Sequence, residues 1–347
     1  MFKRIQLRIV LILLIVTCVA PIVGVRNVFG QGRSVVHFTS LTSFAIPEPS
    51  PKGSISWAAQ SSTGFTARMG LTSEVVGGKI YVFGGATLFD DLKTLEVFDP
   101  STNSWSTPTT DGSMSARSEL ASGVVKGKIY LIGGFNGDGA VSTLEVFDPS
   151  TNAWSTPTTT GSMTARYGLT ASVVNGKIYA IGGTDTSLKP FSLLEVFDPS
   201  TNTWSTPTTK GTMTARAFLT SAVVSGKIYA MGGANGPPLS TLEVFDPANN
   251  SWSTPTTKGT MIARKGFTSA TLDGKIYVMG GRDTSLGPIS TLEVFDPAKN
   301  SWSTPESRGD MYPRFDLTAA LSNGKIYAIG GSNGDVSDTN EVLNLNP

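Results

Sequence analysis

One motif recurs six times at a near-constant step, and that repetition restricts the fold more than any other property of the chain. Gly-Gly pairs begin at Gly84, Gly133, Gly182, Gly232, Gly280 and Gly330, 48 to 50 residues apart. The six tryptophans of the chain (Trp57, Trp105, Trp154, Trp204, Trp252, Trp302) keep the same step. So do six arginines (Arg68, Arg117, Arg166, Arg216, Arg264, Arg314) and six Glu-Val pairs starting at Glu96, Glu145, Glu195, Glu243, Glu293 and Glu341. Four independent markers agree on six units, so the 347 residues do not have to be shared between two unrelated domains.

One unit, from Arg166, contains four short β candidates. Strand A is Leu169–Val174, and Asn175-Gly176 is a strong two-residue hairpin signal leading into strand B, Lys177–Gly182. Strand C is Leu194–Phe197, stopped by Asp198-Pro199, where proline cannot continue a ladder. Strand D surrounds Trp204 and stops at Pro207. Ile178 and Tyr179 in B, and Val196 and Phe197 in C, put apolar groups on both faces of the sheet. A sheet apolar on both sides must be covered on both sides, and a ring of stacked four-stranded sheets achieves this without helices. The expected fold is therefore all-β, a six-bladed propeller.

Composition agrees and removes several function classes. With 38 Gly, 20 Pro, 39% hydrophobic and 15% charged residues, the chain is too apolar for disorder and too glycine-rich for a helical protein. Lys+Arg number 27 against 26 Asp+Glu with no block of either sign, so nucleic acid is not an expected partner. One Cys (Cys18) and one His (His37) exclude an internal disulfide framework and a Cys/His zinc site. No cofactor or metal is expected.

The N-terminus has the form of an export segment. Lys3, Arg4 and Arg8 precede the apolar run Ile9–Ala20, Pro21 breaks it, and Val28-Phe29-Gly30 before Gln31 is a small-residue cleavage site. Twelve apolar residues fit a signal-peptide core and fall short of the ~20 needed to span a bilayer. The alternative extends the run to Val25 and retains residues 1–30 as a membrane anchor. Cleavage after Gly30 removes four of 27 basic residues and no acid, leaving 23 against 26, a net charge near −3. Residues 31–56, with alternating Pro47, Pro49 and Pro51, read as an extended linker in which His37 is a solvated side chain. The expected location is exported, with membrane attachment only through this segment.

Double glycine, a Tyr two residues before it and a spaced Trp resemble the kelch family over residues 57–347, with Phe98, Phe147 and Phe197 where many kelch units carry Tyr. The resemblance implies a six-bladed propeller of four antiparallel strands per blade. The last unit stops without its Trp, while Trp57 precedes the first Arg, so the strand around Trp57 is expected to complete the blade formed by 317–345.

Up-and-down connectivity puts the uniform A–B and C–D turns on one side and the B–C loops and D–A links on the other. The B–C loops differ in every unit, which marks their face as the expected binding face. The six arginines are expected to ring the channel mouth there, either in structural pairing with carbonyls or carboxylates or as forked donors to an anion. Two residues past each Arg stand Gly70, Glu119, Gly168, Phe218, Gly266 and Asp316, and one residue past it stand Met69, Ser118, Tyr167, Ala217, Lys265 and Phe315. With Phe89, Phe135, Phe191 and Arg282 from the variable loops, these give an expected pocket of aromatics, arginines and two carboxylates, suited to a glycan or an acidic peptide. The first functional reading is an exported protein- or carbohydrate-binding module. Within kelch-like enzymes, galactose-oxidase-type copper chemistry is excluded by the missing His and Cys ligands. A chain similar to a sialic-acid mutarotase would have to use Glu119 with Arg117, or Asp316 with Arg314, as its catalytic groups.

Overall fold

The computed structural model describes residues 55–345; the export segment, Cys18, His37 and most of the linker lie outside the described residues. The described residues contain no helix, and form six antiparallel four-stranded blades. In blade 3 the strands are A, Thr170–Val174; B, Lys177–Ile181; C, Leu194–Asp198; and D, Thr203–Ser205. Strand B ends one residue earlier than its sequence suggests because Gly182 and Gly183 adopt φ of 65° and 96°, outside the β region. The A–B turn has positive φ at both central residues, 50° at Asn175 and 74° at Gly176, the geometry whose twist matches the flanking strands.

The seam is closed by the two ends of the propeller. Ile55–Ala59 pairs antiparallel with Asn340–Leu345, placing Trp57 opposite Leu343 and completing blade 6 outside Thr318–Ser322 and Lys325–Ile329. The ladder continues on the N-terminal side of Trp57 with Ser56 opposite Asn344 and Ile55 opposite Leu345.

Blades adhere through aromatic packing. Phe98, Phe147, Phe197, Phe245 and Phe295 of strand C are fully buried, each against the Trp of its own blade. Each also meets the strand-B Tyr of the preceding blade, as Phe197 meets Tyr130 with centroids 6.0 Å apart. Burial of each such ring stabilises the fold by roughly 1.5–3 kcal/mol.

The outer edges are covered as well. Main-chain bridges run parallel from each D–A link to the next blade's strand D: Asp111 to Ala153, Thr160 to Thr203, Lys210 to Ser251 and Lys258 to Ser301. Ser307–Arg308 does the same to Ile55 and Ser56 at the seam. Side chains cover the edge of blade 1, where Trp105 Nε1 donates to the Ser61 carbonyl at 2.7 Å and Phe65 stacks on the indole at 4.3 Å. Unpaired strand edges are thereby kept from templating association.

Candidate functional site at the channel mouth

The double glycines lie where neighbouring blades touch main chain to main chain. The second glycine of each pair donates to the carbonyl of the next blade's Arg, from Gly85 to Arg117 at 3.0 Å around to Gly331 and Arg68 at 2.8 Å. A Cβ on Gly84 would stand 2.6 Å from the Arg117 carbonyl oxygen. The pairs are contact points between blades.

The six arginines have a structural place. Each is 0% exposed and pairs with the Glu of its own blade's strand C: Arg68 with Glu96, Arg117 with Glu145, Arg166 with Glu195, Arg216 with Glu243, Arg264 with Glu293 and Arg314 with Glu341. Burial lowers the Arg166 pKa while Glu195 pushes it back up. The same carboxylates accept main-chain N–H groups of the link, such as Thr164 to Glu195 at 3.1 Å. The guanidinium groups therefore lie inside the wall, fastening link to blade, and present no surface to a ligand. That burial separates Arg117 from any joint catalytic role with the half-buried Glu119, and Arg314 likewise from Asp316.

Two residues further on, the main chain forms a closed ring. Glu119 N–H donates to the Gly70 carbonyl (2.7 Å), Gly168 to Glu119 (2.9 Å), Phe218 to Gly168 (2.7 Å), Gly266 to Phe218 (3.0 Å), Asp316 to Gly266 (2.6 Å) and Gly70 to Asp316 (2.8 Å). All six residues have positive φ, including Glu119 (52°), Phe218 (56°) and Asp316 (52°), a conformation that costs a side-chain-bearing residue on the order of 1–2 kcal/mol. Glycine alternates with a larger residue, and the geometry explains why. The Glu119 carboxylate leans over Gly70, the Phe218 ring over Gly168 and the Asp316 carboxylate over Gly266, so a Cβ on Gly266 would collide with Asp316 Oδ1. A side chain at any of the three glycines would meet the side chain of the next ring residue where it now lies. The alternation is visible in the sequence, but the ring that causes it is not.

A second tier surrounds this ring, in which each residue following the Arg bridges the residue following the double glycine: Ser118 with Phe135, Tyr167 with Thr184, Lys265 with Arg282, Phe315 with Ser332. These bridges divide the mouth. On one arc Phe135, Tyr167 and Phe218 meet edge to face, with centroids 5.3 Å and 6.0 Å apart. On the other, the Arg282 guanidinium lies 3.4 Å over the Phe315 ring and Lys265 Nζ lies 5.9 Å from the Phe218 centroid. Phe315 is buried beneath Arg282, and Arg282 Nε has no hydrogen-bond partner. Phe89, 90% exposed, stands away from the cluster, and Phe191 makes no ring contact within it.

The two mouth carboxyls are displaced upward together. Burial raises Glu119 well above the usual carboxylate range, and the charges of Asp316 and Asp91 add to it. Burial raises Asp316 to about 6, with Arg282 and Lys265 pulling it part of the way back.

Below the mouth, the channel contains a cavity of about 320 Å³ whose walls are small residues of the innermost strands and a single acid, Glu74. The corresponding positions elsewhere are Gly123, Ser172, Ala222, Ala270 and Ala320. Burial raises Glu74 to about 7 although the Ser122 hydroxyl donates to its Oε1 at 2.8 Å. Hydroxyl pairs such as Ser73 with Thr318 (2.8 Å) and Thr220 with Ser269 (3.0 Å) join neighbouring blades around this space. Glu74 is not among the residues singled out by motif and spacing, although it breaks the repeat at a strand-A position. Among the described residues no group of His, Cys, Asp and Glu is arranged to hold a metal ion.

The KLHDC2/KLHL20/DRC7 Kelch-repeats domain model matches the chain twice, over residues 52–233 and 168–347. The protein belongs to the kelch-repeat family. No curated protein matches the chain. Kelch propellers are in general protein-interaction scaffolds, and in this kelch propeller the mouth is the face at which the repeat is least uniform.

Proposed function

We infer that the protein is an exported recognition module that grips a protein partner with the B–C and D–A face of its propeller. The distribution of exposed apolar side chains supports this. All six large ones among the described residues, Leu88, Phe89, Leu188, Ile262, Leu286 and Tyr312, lie on B–C loops or D–A links. The opposite face instead carries repeated Lys–Asp pairs such as Lys177 with Asp198 at 3.1 Å. Apolar groups gathered on one face with charge on the other is the pattern of a docking surface. Lys265 and Arg282 supply the part of that surface suited to an acidic group.

A displayed random-peptide library selected on the protein tests this. Selected peptides should lose binding to a Phe89→Ser, Leu188→Ser, Leu286→Ser variant and keep it with Lys177→Ser, Lys227→Ser on the other face. Equal binding to both variants would refute the assignment. Export rests on Lys3, Arg4, Arg8 and the apolar run Ile9–Ala20; the mature chain should begin at Gln31, and recovery of the intact N-terminus would refute cleavage.

A second reading, a sugar-modifying enzyme, is favoured by one observation: Glu119 and Asp316 are two raised carboxyls on one ring, a pattern that can serve proton transfer. It requires sugar turnover that disappears with Glu119→Gln or Asp316→Asn while binding persists. The burial of Arg117 and Arg314 favours the binding module.

A further inference from the structure

The channel below the mouth carries chemistry that docking at the mouth does not use. Its cavity of about 320 Å³ is walled by Val124, Val173 and Val223, by alanines, by four serines and by Glu74. The Ser122 hydroxyl donates to Glu74 Oε1 at 2.8 Å, and the Thr72 hydroxyl lies 2.6 Å from Ser122 Oγ. Ser122 has one hydroxyl hydrogen, so the donation runs from Thr72 through Ser122 to the carboxylate and fixes its orientation. The other oxygen, Glu74 Oε2, has no hydrogen-bond partner among the described residues.

No cation faces this carboxylate. Its strand, Thr72–Val76, packs against Lys79–Phe83, Ala121–Val125 and Thr318–Ser322. The titratable groups on those strands are Tyr81, opposite Glu74 in the ladder, and Lys79, which pairs with Asp99 at the end of its strand. No other charged residue lines the cavity. Strand A does not need an acid here, since the equivalent positions are Gly123, Ser172, Ala222, Ala270 and Ala320. A buried carboxylate without a counter-ion works against folding.

An anion is repelled from such a cavity, and a metal ion fits it poorly. Hard cations take six or more oxygen ligands and would find one carboxylate, with most of the space left unfilled. A protonated amine on a short hydrocarbon body matches both parts of the lining. Its three N–H donors suit a carboxylate and serine oxygens, and the valines cover its carbons. The volume is about twice the ~150 Å³ that holds one benzene, which gives room for roughly ten non-hydrogen atoms.

We propose that the channel is a binding site for a small primary amine in its ammonium form, with Glu74 as the counter-ion, Ser122 orienting the carboxylate, and Val124, Val173 and Val223 around the hydrocarbon. The site is separate from the mouth and does not depend on what docks there.

Calorimetric titration of the full protein with benzylamine at pH 8 tests this, with benzyl alcohol as the probe of the same shape without the charge. Benzylamine should bind at least roughly ten-fold more tightly than the alcohol, and Glu74→Gln should remove that advantage. Burial raises Glu74 to about 7, so benzylamine binding to the wild type should weaken by roughly thirty-fold from pH 8 to pH 5.5 as the carboxylate takes up its proton, and binding to Glu74→Gln should not follow pH in this way. Lys177→Ser, on the outside of the propeller, should bind as the wild type does. If benzylamine binds no better than benzyl alcohol, or binds wild type and Glu74→Gln equally, the site does not exist. Binding that survives Glu74→Gln and disappears with Glu119→Gln would place the amine at the mouth and equally overturn the channel site.

Discussion

Replacing Glu74 by Gln should make the propeller more stable, by an amount that depends on pH. Glu74 is the single acid in the channel cavity, and burial raises it from 4.5 to about 7. A carboxyl that holds its proton more tightly in the fold than in the unfolded chain opposes folding once it ionises. The penalty is therefore absent below about pH 4.5, grows as pH rises from 4.5 to 7, and is constant above that. A displacement from 4.5 to about 7 corresponds to about 3 kcal/mol. The Gln amide oxygen can still accept from Ser122, so the two proteins should agree within about 0.5 kcal/mol at pH 4.5. Urea denaturation of both proteins at pH 4.5, 5.5, 6.5 and 8 gives the difference curve directly. Glu119 and Asp316 titrate in both proteins, and Glu74 is not among the charges that act on either, so their contribution cancels. A difference that stays flat from pH 4.5 to 8, or that favours the wild type as pH rises, would refute the reasoning.

Removing the arginine of one wall pair should be far costlier than removing a surface cation. Arg166→Ala leaves the Glu195 carboxylate buried without its partner and should lose about 3–5 kcal/mol, whereas Lys177→Ala, whose side chain is half exposed, should lose less than about 1 kcal/mol; denaturant melts of the two variants give the comparison. Gly84→Ala should destabilise by more than about 2 kcal/mol, since its Cβ meets the Arg117 carbonyl, while Gly77→Ala, with open space around it, should show only the roughly 1 kcal/mol cost of its positive φ. Deleting residues 53–62 removes the seam strand from Asn340–Leu345 and should lower the melting temperature of the whole propeller; an unaltered melt would mean the ring does not depend on that strand.

The strand pattern is legible because each blade is assembled from local signals. Asn175-Gly176 specifies a hairpin within a few residues, Asp198-Pro199 stops a strand, and the displaced Trp57 announces the seam. Such features act over distances shorter than one repeat, so a single sequence displays them. The face carrying the variable loops follows from the same connectivity. The arginines show where this stops: their spacing reveals a ring, yet the same spacing fits a row of exposed donors or a row of buried ion pairs. Burial decides for the pairs with strand-C glutamate.

What the amino-acid order determined on its own is the number of blades, the bounds of their strands to within a residue or two, and the join between the ends. Closure of the ring decided the rest. The six-membered circle of N–H to C=O bonds through Gly70, Glu119, Gly168, Phe218, Gly266 and Asp316 exists only when all blades are in place, as does the meeting of Ser73 with Thr318 across 245 residues. Whether Glu119 has a cation beside it, and whether Glu74 faces water or a narrow cavity, are likewise properties of neighbouring blades. A side chain's charge is written in the sequence, but the field and solvent that act on it are set by residues one or more repeats away.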